Sequence, residues 1–442
     1  MRGIRRIAAA CLSSNAGNII RRSTQGKRTL HGFTLVVFTT LAWTCFVSLT
    51  LIADSLPPYE KNNTCYYDNS SSDCVIQTIT PLVPALRDAS MVLKNEAQSN
   101  NQSHLSSFNP RLIADTTTPT KLILRWTKFY NNHWDFPPGN YIFHHLSCPV
   151  NTCEITDDHS EVKEAAAILF HMRDISDPSQ FPLYRHPEQR WVFYLLESPY
   201  HTQVNLTKFN GAFNWTSTYH SHSDIPSPYG QFIAHKNAVN SSSVRDLSKI
   251  YPGKTRPIAW FVTNCKAKNK RMEYVRELQK YISVDIYGNC GNFKCPNRMK
   301  CLDMLRRKYK FYLSFENSNC AEYITEKFWF NALEHDTVPI VMGAPRSHYQ
   351  RLAPPTSFIH IEDFPSPHDL ARYLRMLMKS NVLYNEFFRW KTMGKSYSHI
   401  NLQPANSPYW CDLCAALHNS SLPSMVHKNL NRWWSVRRQC LH

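Results

Sequence analysis

The chain has 442 residues, with 50 Lys and Arg against 33 Asp and Glu, a formal net charge of +17, and 13% aromatic residues. That aromatic content excludes an intrinsically disordered chain, and 12 Gly against 27 Pro exclude collagen-like and Gly-rich linker proteins. The length predicts two or three domains, and the absence of any repeat at about 20–50 residues excludes solenoids and propellers.

The basic excess starts at once. Arg2, Arg5, Arg6, Arg21, Arg22, Lys27 and Arg28 all precede the first acid, Asp54. The remaining excess is spread along the chain, so no nucleic-acid partner is expected. Residues 1–32 read as a cytosolic tail. FTLVVFTTLAWTCFVSLTLIA, residues 33–53, carries no formal charge and is long enough to cross about 30 Å of hydrocarbon at about 1.5 Å per residue. It exceeds the usual h-region of a cleaved signal peptide, and no clean small-x-small site follows. Basic residues before the span keep the N-terminus cytosolic. A single transmembrane signal-anchor of type II topology is therefore expected, with the rest of the chain in an oxidising lumen.

Residues 54–118 are rich in Ser, Asn, Thr and Pro and read as a luminal stem. A first lobe is expected over 119–250, with strand-like runs at LILRW (122–126), AAAILFH (165–171) and RWVFYLLESP (190–199). A second is expected over 251–400. There, strands are predicted at PIAWFVTNC (257–265), VDIYG (284–288), FYLSFEN (311–317), TVPIVMG (337–343) and FIHIED (358–363). Met272, Val275, Leu278 and Ile282 space a helix over 269–282. Ile324, Phe328 and Ala332 space another. Ser366-Pro367-His368-Asp369 opens a third, with Leu370, Leu374 and Leu377 on its buried face. A Cys-containing segment, 401–442, closes the chain. Strands alternating with helices predict an α/β fold of two Rossmann-like lobes with a cleft between them, and ligands at the carboxyl ends of the strands. No G-x-G-x-x-G is present.

Twelve cysteines lie after residue 54, and a disulfide framework is the expected use of them. Close spacing makes Cys65–Cys74 and Cys148–Cys153 natural pairs. Cys411 and Cys414 with His418 form an incomplete zinc half-site, and no preceding strand presents the CDLC as a redox motif. Seven sequons, at Asn62, Asn69, Asn101, Asn205, Asn214, Asn240 and Asn419, agree with a secreted or luminal chain as N-glycosylation sites.

YKFYLSFENSNCAEYITEKFWFNALEHDTVPIVMGAP, residues 309–345, closely resembles the signature of the α1,3-fucosyltransferases, glycosyltransferase family 10. RWVFYLLESPYHT (190–202), FNWTSTYHSHSDIPSPYG (213–230), FVTNCKAKNKRMEYVRELQKYISVDIYG (261–288) and the terminal CDLC are similar to further family blocks, in order. The resemblance covers about 120–440. It implies a GT-B fold, a Golgi type II membrane enzyme, and inverting transfer of L-fucose from GDP-fucose in α1,3 linkage to GlcNAc of glycoprotein glycans. It implies no cofactor and no essential divalent metal. The alternative from another class is a non-catalytic type II lectin-like membrane receptor, which explains anchor, stem, cysteines and sequons but not the block at 317–327. By the same resemblance Arg271, Asn317, Tyr323, Glu326 and Lys327 are donor-binding residues, and Glu326 faces the fucose.

The chemistry can be argued beside the resemblance. A nucleoside diphosphate leaving without a metal needs cations or a helix N-terminus against its growing charge, and Lys327 and Arg271 are placed to supply them. Inversion needs one base for the acceptor hydroxyl. Glu197 ends the apolar run VFYLLE and should project at a strand's carboxyl end, so it is the candidate base. Where many family members carry Tyr-Arg-x-Asp-Ser-Asp, this chain has Tyr219-His220-Ser221-His222-Ser223-Asp224, and local contacts there should differ.

Overall fold

The computed structural model describes residues 119–235, 253–399, 405–422 and 425–441, together with the backbone of 65–66 and 75–76. The chain divides into two units, Met1–Thr80 and Pro81–His442. In the first, the backbones of Cys65–Tyr66 and Val75–Ile76 pair antiparallel. The expected span at 33–53, the stem and the Cys65–Cys74 pair otherwise lie outside the described residues. No helix of the described residues is long and apolar enough to cross a membrane.

The second unit holds two five-stranded parallel sheets. The first contains β1 (Lys121–Arg125), β2 (Cys153–Thr156), β3 (Ala167–His171), β4 (Arg190–Leu195) and β5 (Trp215–Thr218), in the order β2-β1-β3-β4-β5. After β6 (Gly230–Ala234), the second sheet is built from β7 (Arg256–Phe261), β8 (Val284–Tyr287), β9 (Tyr309–Phe315), β10 (Val338–Met342) and β11 (Ile359–His360), in the order β8-β7-β9-β10-β11. The two orders are the same doubly wound order, 2-1-3-4-5. A last strand, β12 (Gly394–Ser398), pairs antiparallel with β6. Each residue of β3 and of β9 is buried, as expected of parallel strands covered on both faces, and this is why they read as mainly apolar runs, with Lys310 and Ser314 the polar exceptions within β9.

Helices α1 (Arg271–Leu278), α2 (Arg298–Lys308) and α3 (Pro367–Lys379) flank the second sheet. The first is shorter than its spacing predicted. The third starts as expected: Ser366 Oγ accepts the Asp369 N–H at 3.3 Å, and Leu370, Leu374 and Leu377 are buried. The helix expected from Ile324, Phe328 and Ala332 differs. Lys327–Leu333 is a π-helix, with the Glu334 N–H on the Trp329 carbonyl and the Thr337 N–H on the Ala332 carbonyl. This wider coil buries Phe328, Trp329, Asn331, Ala332 and Leu333 together, and such turns recur at functional sites.

Past β12 the chain returns to the first sheet as α4 (Tyr409–His418). The Gly211 N–H donates to the His427 carbonyl at 2.8 Å, and Trp434 Nε1 donates to Thr202 Oγ1 at 3.0 Å. Two disulfides fix this return, Cys148–Cys411 and Cys153–Cys414. The expected Cys148–Cys153 pair is thus wrong. Cys411 and Cys414 are three apart and lie on one face of α4, so each meets a different cysteine beside the sheet edge. The zinc reading falls with it: Cys153, Cys414 and His418 cluster, but the two sulfurs are bonded to each other and His418 Nε2 lies 3.1 Å from Thr152 Oγ1. Cys265–Cys290, Cys295–Cys301 and Cys320–Cys440 complete the disulfides among the described residues.

Because both links at α4 close loops of more than 250 residues, with separations of 263 and 261, the paired substitution Cys411→Ser/Cys414→Ser is expected to cost about 2–5 kcal/mol. Denaturant unfolding of the isolated head measures it. Thiol alkylation should leave the ten bonded cysteines of the native head unmodified until reduction, and ready labelling of any of them would contradict the pairing.

Candidate active site

In a sheet ordered 2-1-3-4-5, ligands sit beyond the carboxyl ends of the strands where the order reverses. In the second sheet that point lies between β7 and β9, and the segments leaving these two strands are tied together. Lys270 turns the first with φ of 58°, and α1 begins at Arg271. Arg271 is 4% exposed. Its Nη1 donates to the Phe315 carbonyl at 2.6 Å and its Nη2 to the Asn264 carbonyl at 3.0 Å, which joins the ends of β9 and β7. Asn269 Nδ2 donates to the Glu316 carbonyl at 3.0 Å and to Asn319 Oδ1 at 2.9 Å. The structure therefore places Arg271 behind the loop, with its guanidinium on backbone carbonyls.

The segment after β9 carries the densest charge. Glu316, the first residue beyond the strand, is 0% exposed. Its Oε1 accepts the Thr325 N–H at 2.8 Å, and its Oε2 accepts Lys327 Nζ at 3.0 Å. Lys327 Nζ also donates to Thr325 Oγ1 at 2.9 Å and to Glu326 Oε1 at 3.2 Å. Burial alone would pull the Lys327 ammonium down, but Glu316 and Glu326 outweigh it and hold it well above its ordinary value. Burial pushes the Glu316 carboxyl up, against Lys327. For Glu326 burial acts the same way, but Lys327 and Thr325 prevail and hold it below the usual range. Asn317 is partly exposed, and its Oδ1 accepts Ser318 Oγ at 3.2 Å.

Glu197 stands across from this cluster, two residues past β4. Its Oε1 accepts the Tyr130 hydroxyl at 3.2 Å and its Oε2 accepts the Tyr323 hydroxyl at 3.2 Å. Ser318 Oγ donates to Ser198 Oγ at 2.7 Å next to it. Tyr130 comes from the segment after β1. It and Asn131 are both left-handed, with φ of 52° and 60°. Their N–H groups are held by Asp174 at 2.7 and 2.6 Å, and Asp174 also pairs with the buried His171 at 2.5 Å. Burial first, and the Glu197 charge second, push both phenols far above their ordinary value, so they remain donors.

Of the expected site residues, Glu197, Tyr323, Glu326 and Lys327 lie in this one region, with Asn317 on the same segment. Glu316, Thr325 and Tyr130 were not expected. Glu316 had a signal, a carboxylate directly after a seven-residue buried strand; Tyr130 had none. Asp224 serves the fold, since it accepts from the Thr216 N–H at 2.7 Å and from His427 Nε2 at 2.7 Å. Gly230 is required by packing, because a Cβ there would lie 2.5 Å from the Trp329 ring. The divergent segment has its own partner: Ser221 donates through N and Oγ to Glu322 at 2.7 and 2.8 Å, and Arg351 pairs with the same carboxylate.

Among the sequons, Asn205 is exposed and Asn419 is half-buried. Asn214 is 4% exposed; its Oδ1 accepts the Trp191 N–H at 2.9 Å, and its Nδ2 donates to the Met425 carbonyl at 3.1 Å. Asn62, Asn69, Asn101 and Asn240 lie outside the described residues.

Residues 118–230 match the family described as "Fucosyltransferase, N-terminal", and residues 251–433 match "Glycosyltransferase family 10 (fucosyltransferase) C-term". The chain is 43% identical over 305 residues to "Glycoprotein 3-alpha-L-fucosyltransferase A" of Drosophila melanogaster, covering 68% of this chain and 58% of that relative. It is 35% identical over 362 residues to "Alpha-(1,3)-fucosyltransferase C" of the same organism, covering 75% and 81%. A solved structure titled "Crystal Structure of alpha1,3-Fucosyltransferase with GDP-fucose" covers 78% of this chain and 98% of its own, at 18% identity and a TM-score of 0.43. The two family matches take in both sheets and the charged segment between Glu316 and Lys327, and the chain belongs to the fucosyltransferases of glycosyltransferase family 10.

Proposed function

We propose that this chain transfers L-fucose from GDP-fucose, with inversion, in α1,3 linkage to GlcNAc of glycoprotein glycans. The observation that carries the reading is the meeting of a carboxylate from the first lobe with the charged Lys327 cluster of the second: Tyr323 Oη lies 3.2 Å from Glu197 on the segment that also presents Glu326 and Lys327. Glu197 takes the proton of the acceptor hydroxyl as its oxygen attacks fucose C1. The C1–O bond to the diphosphate breaks, and GDP leaves with the bonding pair. Lys327 meets the charge that grows on the leaving diphosphate, and Arg271 adds positive charge behind it. Glu326 faces the charge that develops on the sugar ring, as carboxylates do in the related hydrolytic reaction. Asn317 and Tyr323 line the donor's place.

The lobes, 119–250 and 251–400, with the 401–442 segment carried back to the first, make a GT-B enzyme in this reading. Residues 33–53 anchor it in the Golgi membrane in type II orientation, and 54–118 hold the head off the bilayer. A divalent metal is not essential, because Lys327 and Arg271 supply the charge that a metal would.

The soluble head, incubated with GDP-fucose and a panel of glycoprotein glycans, is expected to add one deoxyhexose to a GlcNAc-bearing acceptor by mass spectrometry, and to keep substantial activity in EDTA. Complete loss in EDTA, restored only by a divalent ion, would overturn metal independence. Failure of the folded head to bind GDP would overturn the donor assignment and favour a receptor.

A further inference from the structure

We infer that Glu316 is a positioning residue for donor binding: Glu316 and Thr325 hold the Lys327 ammonium in place permanently, and Glu326 is the partner that the donor's diphosphate displaces. This rests on the donor reading above and deepens it.

An ammonium has three N–H donors. All three are engaged, by Glu316 Oε2 at 3.0 Å, Thr325 Oγ1 at 2.9 Å and Glu326 Oε1 at 3.2 Å. An incoming diphosphate must therefore replace one of them. Glu316 cannot move aside. Its side chain is 0% exposed, it also accepts from Thr325 N and Oγ1, and its N–H extends the sheet ladder to the Met342 carbonyl at 2.8 Å. Gly343 closes the space beside it, where a Cβ would lie 2.7 Å from Glu316 Cγ. Thr325 is fully buried as well. Glu326 has the longest contact of the three and a side chain 26% exposed. Exchange at Glu326 has a second result. Its carboxylate is freed when the diphosphate arrives, so the acid that faces the sugar becomes available only in the loaded site.

The groups that face Lys327 are Glu316 from the end of β9, Glu326 beside it, Arg271 from α1 and Tyr312 from β9, with Arg298 of α2 acting through Glu326. Burial, eased by Asn331, pushes Tyr312 up to about 12, and both arginines stay charged at ordinary pH. Between about pH 6 and 10, removal of the Glu316 charge therefore acts on Lys327.

GDP binding to wild type, Glu316→Gln, Thr325→Val and Glu326→Gln, followed by calorimetry across that range with melting temperatures on the same samples, decides the matter. Glu316→Gln should bind GDP about ten- to hundredfold more weakly, the size of a charge-assisted hydrogen bond, and should lose binding further as pH rises while wild type does not. Thr325→Val should shift in the same direction and serves if Glu316→Gln does not fold. Glu326→Gln should bind GDP at least as tightly as wild type, although its turnover falls. Unchanged affinity and pH profile in Glu316→Gln or Thr325→Val, with only a lower melting temperature, would reduce the pair to a structural role and overturn the proposal. Equal weakening in Glu326→Gln would overturn the exchange. A wild-type head that ignores GDP would instead remove the donor reading itself.

Discussion

Glu197→Gln is expected to lower kcat by about 10²–10⁴, the usual cost of losing a general base, while GDP affinity stays unchanged. The substitution keeps the shape of the side chain but cannot take a proton. Glu197 accepts two phenolic hydrogen bonds, from Tyr130 and Tyr323. A Gln offers one oxygen in their place, so one hydroxyl faces an NH₂ group, at a cost of about 1 kcal/mol. The melting temperature should therefore fall only slightly. If Glu197 merely braced the segment after β4, the rate and the melting temperature would fall together. Near-normal kcat with collapsed GDP binding would reverse the assignment of the two lobes. Steady-state rates, calorimetry and thermal melts on one preparation separate these cases.

Lys327→Ala should weaken GDP binding and lower kcat by about 10²–10³ together, because its contact strengthens as the leaving group gains charge. The variant has a predictable side effect. It leaves the buried Glu316 carboxylate without its cation, which costs about 3–5 kcal/mol. The double substitution Lys327→Ala/Glu316→Gln removes both charges. It should recover most of the lost melting temperature and none of the lost GDP affinity, which separates the structural cost from the functional one. Lys327→Arg should rescue incompletely, since a planar guanidinium does not fit the three-point cradle of Glu316, Thr325 and Glu326. Full rescue by Arg, or recovery of affinity in the double variant, would contradict a diphosphate contact.

How far the sequence carried the fold follows from burial. Strands β3, β4, β9 and β10 are buried along nearly their whole length and mostly apolar, so length and composition expose them. Strand β2, CEIT, is four residues at a sheet edge with Glu154 exposed, and no periodicity marks it. Helix α2, RMKCLDMLRRK, buries only Cys301, Leu302 and Leu305, too few apolar positions among its charges to mark a helix by spacing. The π-helix could not be read from residue spacing, because an i, i+4, i+8 pattern does not reveal whether the backbone closes at four residues or five. At the site, the resemblance located the segment bearing Lys327 and Glu326. It did not reveal that Arg271 is turned onto carbonyls or that Tyr130 reaches Glu197. Both depend on chain segments brought together by tertiary contacts between residues 44 and 67 positions apart.

The links between the first sheet and α4 also set an order of events during synthesis. Cys148 and Cys153 are made first, and their partners follow 263 and 261 residues later. At about 5–20 residues per second, that interval is roughly 10–50 s. Throughout it, each of the early cysteines has the other as a near neighbour only five positions away, and under oxidising conditions the short loop between them favours the wrong bond. Reaching the native pairing from there requires thiol exchange after α4 has been made. The yield of folded protein should accordingly depend on a disulfide isomerase far more than on the supply of oxidant.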